Sequence, residues 1–149
     1  MAGFKKTQKQ REAAALLRSD ARHILLYGGG RSGKTFILLL YLVIRALKTK
    51  SRHLVLRLHF NHVKTSVWKD TLPKVIALVC PDFPAVFNNS DFYVQFPNGS
   101  EIWIGGLDDK DRADKILGTE YSTIFFNECS SYRMRLSVRH ALGWLRRPS

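Results

Sequence analysis

Residues 28–35 read Gly-Gly-Gly-Arg-Ser-Gly-Lys-Thr, a stretch whose residue types suit it to holding an anion. Gly28, Gly29, Gly30 and Gly33 let the backbone turn tightly, so successive N–H groups around Arg31 and Ser32 can aim at one point. Lys34 adds a cation and Thr35 a hydroxyl. The spacing matches G-x-x-x-x-G-K-[ST], in which the lysine reaches the β- and γ-phosphates of a nucleotide and the hydroxyl ligates Mg²⁺. A helix starting at this point would offer its unpaired amides and dipole to the same phosphates. The competing reading is a glycine-rich turn that binds nothing.

A second constellation is Ile124-Phe125-Phe126-Asn127-Glu128, a hydrophobic run ending in a polar pair, in the manner of a Walker B element. At the carboxyl edge of a parallel sheet such a pair lies beside the phosphate loop. Glu128 is then placed to polarise a water against a γ-phosphate. Asn127 stands where an aspartate is usual. Its amide oxygen can bond a magnesium-bound water but brings no charge, so metal binding rests more on Thr35 and the phosphates. Read blandly, the pair ends a buried strand in solvent.

Other chemistry is less well supported. Asp108, Asp109, Asp111 and Asp114 crowd one short polar segment and read as a solvated helix face, with no acidic triad for nuclease chemistry. The five histidines show no metal-ligand spacing, and His59 and His62 read as loop residues. Cys80 and Cys129 cannot build a disulfide scaffold or a four-cysteine metal site, and reduced cytosolic thiols are expected. Trp68 and Trp103 read as core or half-buried aromatics in preference to base-stacking platforms.

The phosphate loop needs a strand before it and a helix after it, and the sequence supplies both. His23-Ile-Leu-Leu-Tyr27 is a compact apolar run suited to a buried parallel strand. Lys34 to Lys48 is helical and apolar nearly all round, so it should be covered on more than one side. Gln8 to Leu17 predicts a short amphipathic helix. Leu54 to Leu58 predicts a second strand, and Asn61 can cap a helix running through Val67, Trp68, Leu72, Val75, Ile76 and Val79, with Pro73 limiting its regularity. Phe92–Phe96 and Glu101–Ile104 form a hairpin around Asn98-Gly99, both taking positive φ. Asp109 to Leu117 is a short helix closed by Gly118, and Ser122 to Phe126 is the last strand. This order predicts an α/β domain with a mostly parallel sheet, the hairpin being an antiparallel addition.

The 149 residues make one ordinary domain, and 45% hydrophobic against 24% charged residues argues for a globular fold. The N-terminus is polar, without the pattern of a signal peptide, and Phe36 to Ala46, the most apolar stretch, is too short to span a bilayer. Net charge is +12; residues 133–149 hold five arginines and no acid, leaving 19 basic and 12 acidic side chains in the first 132. A basic body is consistent with nucleic acid or nucleotide as partner.

Taken in order, Gly28–Thr35, Leu56-Arg57 with Ser66 following, Gly106-Leu-Asp-Asp109, and Lys115-Ile-Leu-Gly118-Thr-Glu-Tyr-Ser122 leading into Ile124–Glu128 resemble the ATPase domain of a tailed-phage terminase large subunit, the DNA-packaging motor. The likeness covers about residues 8 to 132. It implies a P-loop NTPase fold of the ASCE type, ATP with Mg²⁺, double-stranded DNA held by its phosphates without regard to sequence, a portal protein and a small terminase subunit as partners, a homo-oligomeric ring, no membrane, and the cytoplasm of the bacterial host. It makes Arg31 the loop arginine that senses or stabilises the γ-phosphate, against a solvated rim arginine. Gln10 (or Gln8) becomes the upstream glutamine that contacts adenine. For Arg57, a salt bridge inside the fold and contact with ligand stand level.

Where the likeness implies a coupling motif and a nuclease domain, the chain ends 21 residues after Glu128. Residues 133–149 form a basic tail unlike the family's continuation, with Met134, Val138, Ala141, Leu142 and Leu145 able to line one face of a helix. The expectation is therefore a partial ATPase domain over 1–132, incomplete at its C-terminus, from a truncated or frame-shifted gene such as a prophage remnant. Competing readings are a remnant that binds nucleotide without turnover, another P-loop motor such as a helicase or recombinase-like ATPase, and a basic nucleic-acid-binding module.

Overall fold

The structure of the protein, a computed structural model, describes residues 8–17, 33–82, 84–108 and 110–126. The expected strand at 23–27 and the basic segment 133–149 lie outside the described residues. In chain order the elements are α1 (Gln8–Leu17), α2 (Lys34–Lys48), β1 (Arg52–Arg57), α3 (Phe60–Val63), a π-helix (Lys64–Thr71), α4 (Leu72–Val79), β2 (Val86–Asn88), β3 (Tyr93–Gln95), β4 (Glu101–Gly106), α5 (Lys110–Leu117) and β5 (Thr123–Phe126). The fold is α/β, as the element order predicts.

The described strands form one mixed sheet in the order β2-β3-β4-β1-β5. β1 is parallel to β4, with Arg52 opposite Glu101 and Arg57 opposite Gly106, and parallel to β5, with His53 opposite Thr123 and Leu56 opposite Phe126. β2, β3 and β4 pair antiparallel. β2 escaped the sequence because three residues are too short for an alternation to show.

Apolar residues on the two faces of β1 seed two cores. Val55 joins α2, the π-helix and α4 in the larger one, around Leu39, Leu40, Val43, Trp68 and Ile104. Leu54 and Leu56 face the other way, onto Ile116 of α5. α2 is buried at Ile37, Leu39, Leu40, Leu42, Val43 and Ala46, which accounts for its nearly unbroken apolar surface: α1, α4 and the sheet all pack on it. Each buried leucine, isoleucine or valine among them contributes on the order of 1.5–3 kcal/mol by leaving water.

The helix after β1 differs from expectation. Asn61 is not its cap; His59 holds that position without a side-chain bond, and Asp108, from the loop after β4, accepts from Phe60 N at 3.2 Å. Further on the chain widens into the π-helix, where Leu72 N donates to Val67 O and Thr71 Oγ1 to Ser66 O at 2.9 Å. Pro73 follows one residue later, in the first turn of α4. Its ring would press on the carbonyl four residues back in a regular helix, and the wider turn before it opens room.

The hairpin between β3 and β4 forms as expected, with a different turn. Gly99 N donates to Phe96 O and Phe96 N to Ser100 O, both at 2.9 Å. Only Gly99, at φ 88°, takes a positive angle, so Pro97-Asn98 make an ordinary turn and Gly99 a bulge. At the end of α5, Gly118 N donates to Asp114 O at 3.0 Å, and Gly118 ends the helix without a left-handed φ.

Candidate functional site

α2 ends at Lys48 and β1 begins at Arg52, so a three-residue link reverses the chain. The helix therefore runs back along the sheet, and its first turn stands at the carboxyl edge of β1, β4 and β5. At that edge Gly33 is left-handed, φ 74° and ψ 16°, and its carbonyl takes the first helical bond from Ile37 N at 3.1 Å. Lys34 and Thr35 follow at once, both half-buried. A left-handed residue directly before a helix strongly favours glycine, since a Cβ there costs about 1–2 kcal/mol.

The sequence left Gln8 and Gln10 as alternatives, and their surroundings differ. Gln8 is exposed and turns to Glu12 of its own helix at 3.5 Å. Gln10 reaches across from α1 to donate from Nε2 to Gly33 O at 3.4 Å. A Cβ on Gly33 would run into that same amide. Of the residues predicted for the site, the structure thus brings together Gln10, Gly33, Lys34 and Thr35. Gly28, Gly29, Gly30, Arg31, Ser32, Asn127 and Glu128 lie outside the described residues, as does Asp109.

Arg57 closes β1 at the same edge and donates from Nη1 to Ser66 Oγ at 3.3 Å. Ser66 Oγ in turn donates to His62 O at 2.7 Å, so the arginine ties the strand end to the helix that follows. Asp108 corrects the reading of a solvated helix face: it precedes α5, accepts from Phe60 N and stands 3.5 Å from His59 Nδ1. Gly106 lets this crossing happen, since a Cβ there would meet the Phe60 backbone. Asp111 and Asp114 are exposed on α5. His62 belongs to α3 and not to a loop.

Trp68 and Trp103, the tryptophans among the described residues, pack within the fold. Trp68 is buried, edge-on to Phe87 and Phe92, with Nε1 bonded to Asn89 Oδ1 at 3.0 Å. Trp103 is half-buried and stacked on Tyr93 at 4.4 Å. Cys80 is buried, and burial pushes its thiol pKa up, the setting of an inert core cysteine. Among the described residues no three His, Cys, Asp or Glu side chains gather as a metal site, and no helix is long and apolar enough to cross a membrane.

Two buried polar residues went unsuspected, because neither belongs to a motif. His53 is fully buried on β1, with Nε2 2.8 Å from Ser51 Oγ and Nδ1 unpartnered. Burial, and then the nearby Arg45 charge, lower its pKa to about 4. Ser100 is the hub of the opposite sheet edge: its hydroxyl donates to Ala46 O at 2.7 Å and accepts from Ser51 N at 3.0 Å.

A left-handed glycine thus opens a helix at the carboxyl edge of the parallel strands, the edge at which open α/β sheets in general receive ligands. The sequence profile of the phage terminase large subunit matches residues 20–146, and the chain belongs to that family. The matched span takes in residues 133–146 of the basic segment. The large terminase of a thermophilic bacteriophage superposes with a TM-score of 0.74 at 17% identity, over 97% of this chain and 37% of that one. The same terminase in complex with ADP gives 0.67 at 17% identity, over 91% and 36%. At such identities the likeness is one of fold, and the chain spans a little over a third of the length of these terminases. No curated protein sequence matches it significantly.

Proposed function

We propose that the chain is the nucleotide-binding and hydrolysing part of a phage DNA-packaging motor, which uses Mg-ATP to drive double-stranded DNA into a procapsid. The left-handed Gly33 turning straight into α2, with Lys34 and Thr35 on the first turn, carries this reading. Family membership and the ADP complex of the thermophilic phage's terminase support it.

In this reading Gly28, Gly29, Gly30, Arg31, Ser32 and Gly33 wrap backbone amides around the β- and γ-phosphates, and Lys34 neutralises them. Gln10 contacts the adenine. Glu128 polarises a water and takes its proton as the bond to the leaving diphosphate breaks, and Arg31 offsets the charge that builds meanwhile. Thr35 and Asn127 offer a hydroxyl and an amide oxygen, hard donors that fit Mg²⁺. When bound, that ion spreads charge on the transferring group. Contacts to DNA fall on phosphates, irrespective of sequence. A portal protein, a small terminase subunit, a ring of copies and the cytoplasm of the host complete the proposal, with residues 1–132 as the ATPase unit and 133–149 as a basic tail.

Steady-state ATPase and binding of an ATP analogue test this in the wild type, Lys34→Ala and Glu128→Ala. Turnover is expected in the wild type alone. Lys34→Ala should lose nucleotide affinity; Glu128→Ala should keep it and lose about 10²- to 10⁴-fold in rate. A wild type that binds nucleotide without turnover supports instead a non-catalytic remnant, the reading that Asn127 in an aspartate's place favours.

A further inference from the structure

One end of α2 stands at the phosphate edge of the sheet, and its other end lies about 22 Å away at the rise of a helix of 15 residues. Around that far end the chain is strongly basic. Residues 41–52 contain Arg45, Lys48, Lys50 and Arg52 and no acid. Glu101 engages Arg52, Nε to Oε1 2.8 Å. Arg45, Lys48 and Lys50 are exposed and have no carboxylate within ion-pair distance among the described residues.

These three cations sit on a stiff platform. Thr49 N bonds Arg45 O at 3.3 Å. Ala46 O receives both Ser100 Oγ and Asn98 Nδ2 at 2.7 Å. The Lys50 stem lies against Gly99, and Arg45 Nη1 bonds Tyr41 Oη at 2.9 Å. The same positive field is felt inside the fold, where Arg45 helps burial hold His53 neutral.

We propose that Arg45, Lys48 and Lys50 form a contact surface for the phosphate backbone of double-stranded DNA, a surface that rests on the reading of this chain as part of a DNA motor. Spread along a helix end and a linker, three exposed cations suit a repeating line of phosphates better than one small anion, which asks for donors converging in a pocket. α2 then carries nucleotide at one end and DNA at the other, a single rigid element joining the two partners.

The test compares the full-length wild type, the triple variant Arg45→Gln/Lys48→Gln/Lys50→Gln, and a charge-matched control, Lys64→Gln/Lys69→Gln/Lys115→Gln. Affinity for a short DNA duplex is measured across salt concentrations. At about 0.9 per phosphate, the slope of log K against log salt should become shallower by about 2.7 in the triple variant, so that it loses about 40-fold less affinity than the wild type between 50 and 200 mM salt. The control should keep most of the wild-type slope, and ATP-analogue binding by the triple variant should be unchanged. An equal change of slope in the control assigns the effect to total charge and overturns the proposal. So does a triple variant that loses thermal stability with its slope intact, since its cations then serve only the helix dipole. A slope change seen with anionic vesicles and not with duplex overturns it in favour of a membrane surface. Wild type that binds duplex but no ATP analogue brings down the motor reading and leaves the Arg45–Lys48–Lys50 surface standing; wild type that binds the analogue but no duplex does the reverse.

Discussion

Gly33 is where a single residue bears most on the candidate site. Its φ of 74° belongs to glycine, and the Gln10 amide fills the space a side chain would need. Gly33→Ala is expected to cost about 1–2 kcal/mol through its left-handed backbone alone, and to weaken binding of an ATP analogue. Chemical denaturation and titration measure the two effects. In a Gln10→Ala background the substitution should cost less, because the collision with the amide is gone while the backbone strain stays. His53 makes a prediction of another kind. Its folded pKa of about 4 lies below the ordinary value of 6.5, so the unfolded chain takes up the proton first. Stability is fully present above pH 6.5, falls as pH drops through the window down to about 4, and stops falling below it; the loss approaches about 3 kcal/mol. His53→Gln should flatten that part of the pH profile of the melting temperature.

Among elements, the network around Ser100 holds the end of α2, the start of β1 and the β3–β4 turn together. Ser100→Ala leaves the half-buried Ser51 N without its acceptor and is expected to cost about 1 kcal/mol, read as a lower denaturant midpoint at unchanged slope. At the other edge, Gly106→Ala would push α3 off the end of β4, since Phe60 backbone occupies the space. A penalty of about 1–3 kcal/mol is expected from overpacking. Elements were legible where a local signal was strong. The apolar stretch 34–48 announced α2, and the alternation around Pro97–Gly99 announced the hairpin. The π-helix, the three-residue β2 and the role of Asp108 were not legible. Asp108 acts on a partner far along the chain, capping a helix 48 residues away from it; β2 is too short for an alternation to show, and the wide turn reflects how the helix accommodates Pro73, which residue types alone do not signal.

For the whole molecule, ligand binding should register as stability. An ATP analogue with Mg²⁺ at 100 times its dissociation constant is expected to stabilise the folded chain by about 2.7 kcal/mol. The gain should vanish in Lys34→Ala, and calorimetry of both proteins measures it. The sequence by itself determined the family, the α/β class, and the glycine-rich turn into α2. These depend on residues adjacent in the chain, whose backbone freedom, apolar period and charge act over a few positions. Tertiary structure alone decided that Gln10 and not Gln8 meets Gly33, that Arg57 is bound to Ser66, and that His53 is buried and neutral. It also decided that Lys50, lying against Gly99, joins Arg45 and Lys48 at the end of α2 away from Gly33. Those outcomes follow from how the helices and strands pack, and packing brings together side chains whose separation along the chain carries no local signal.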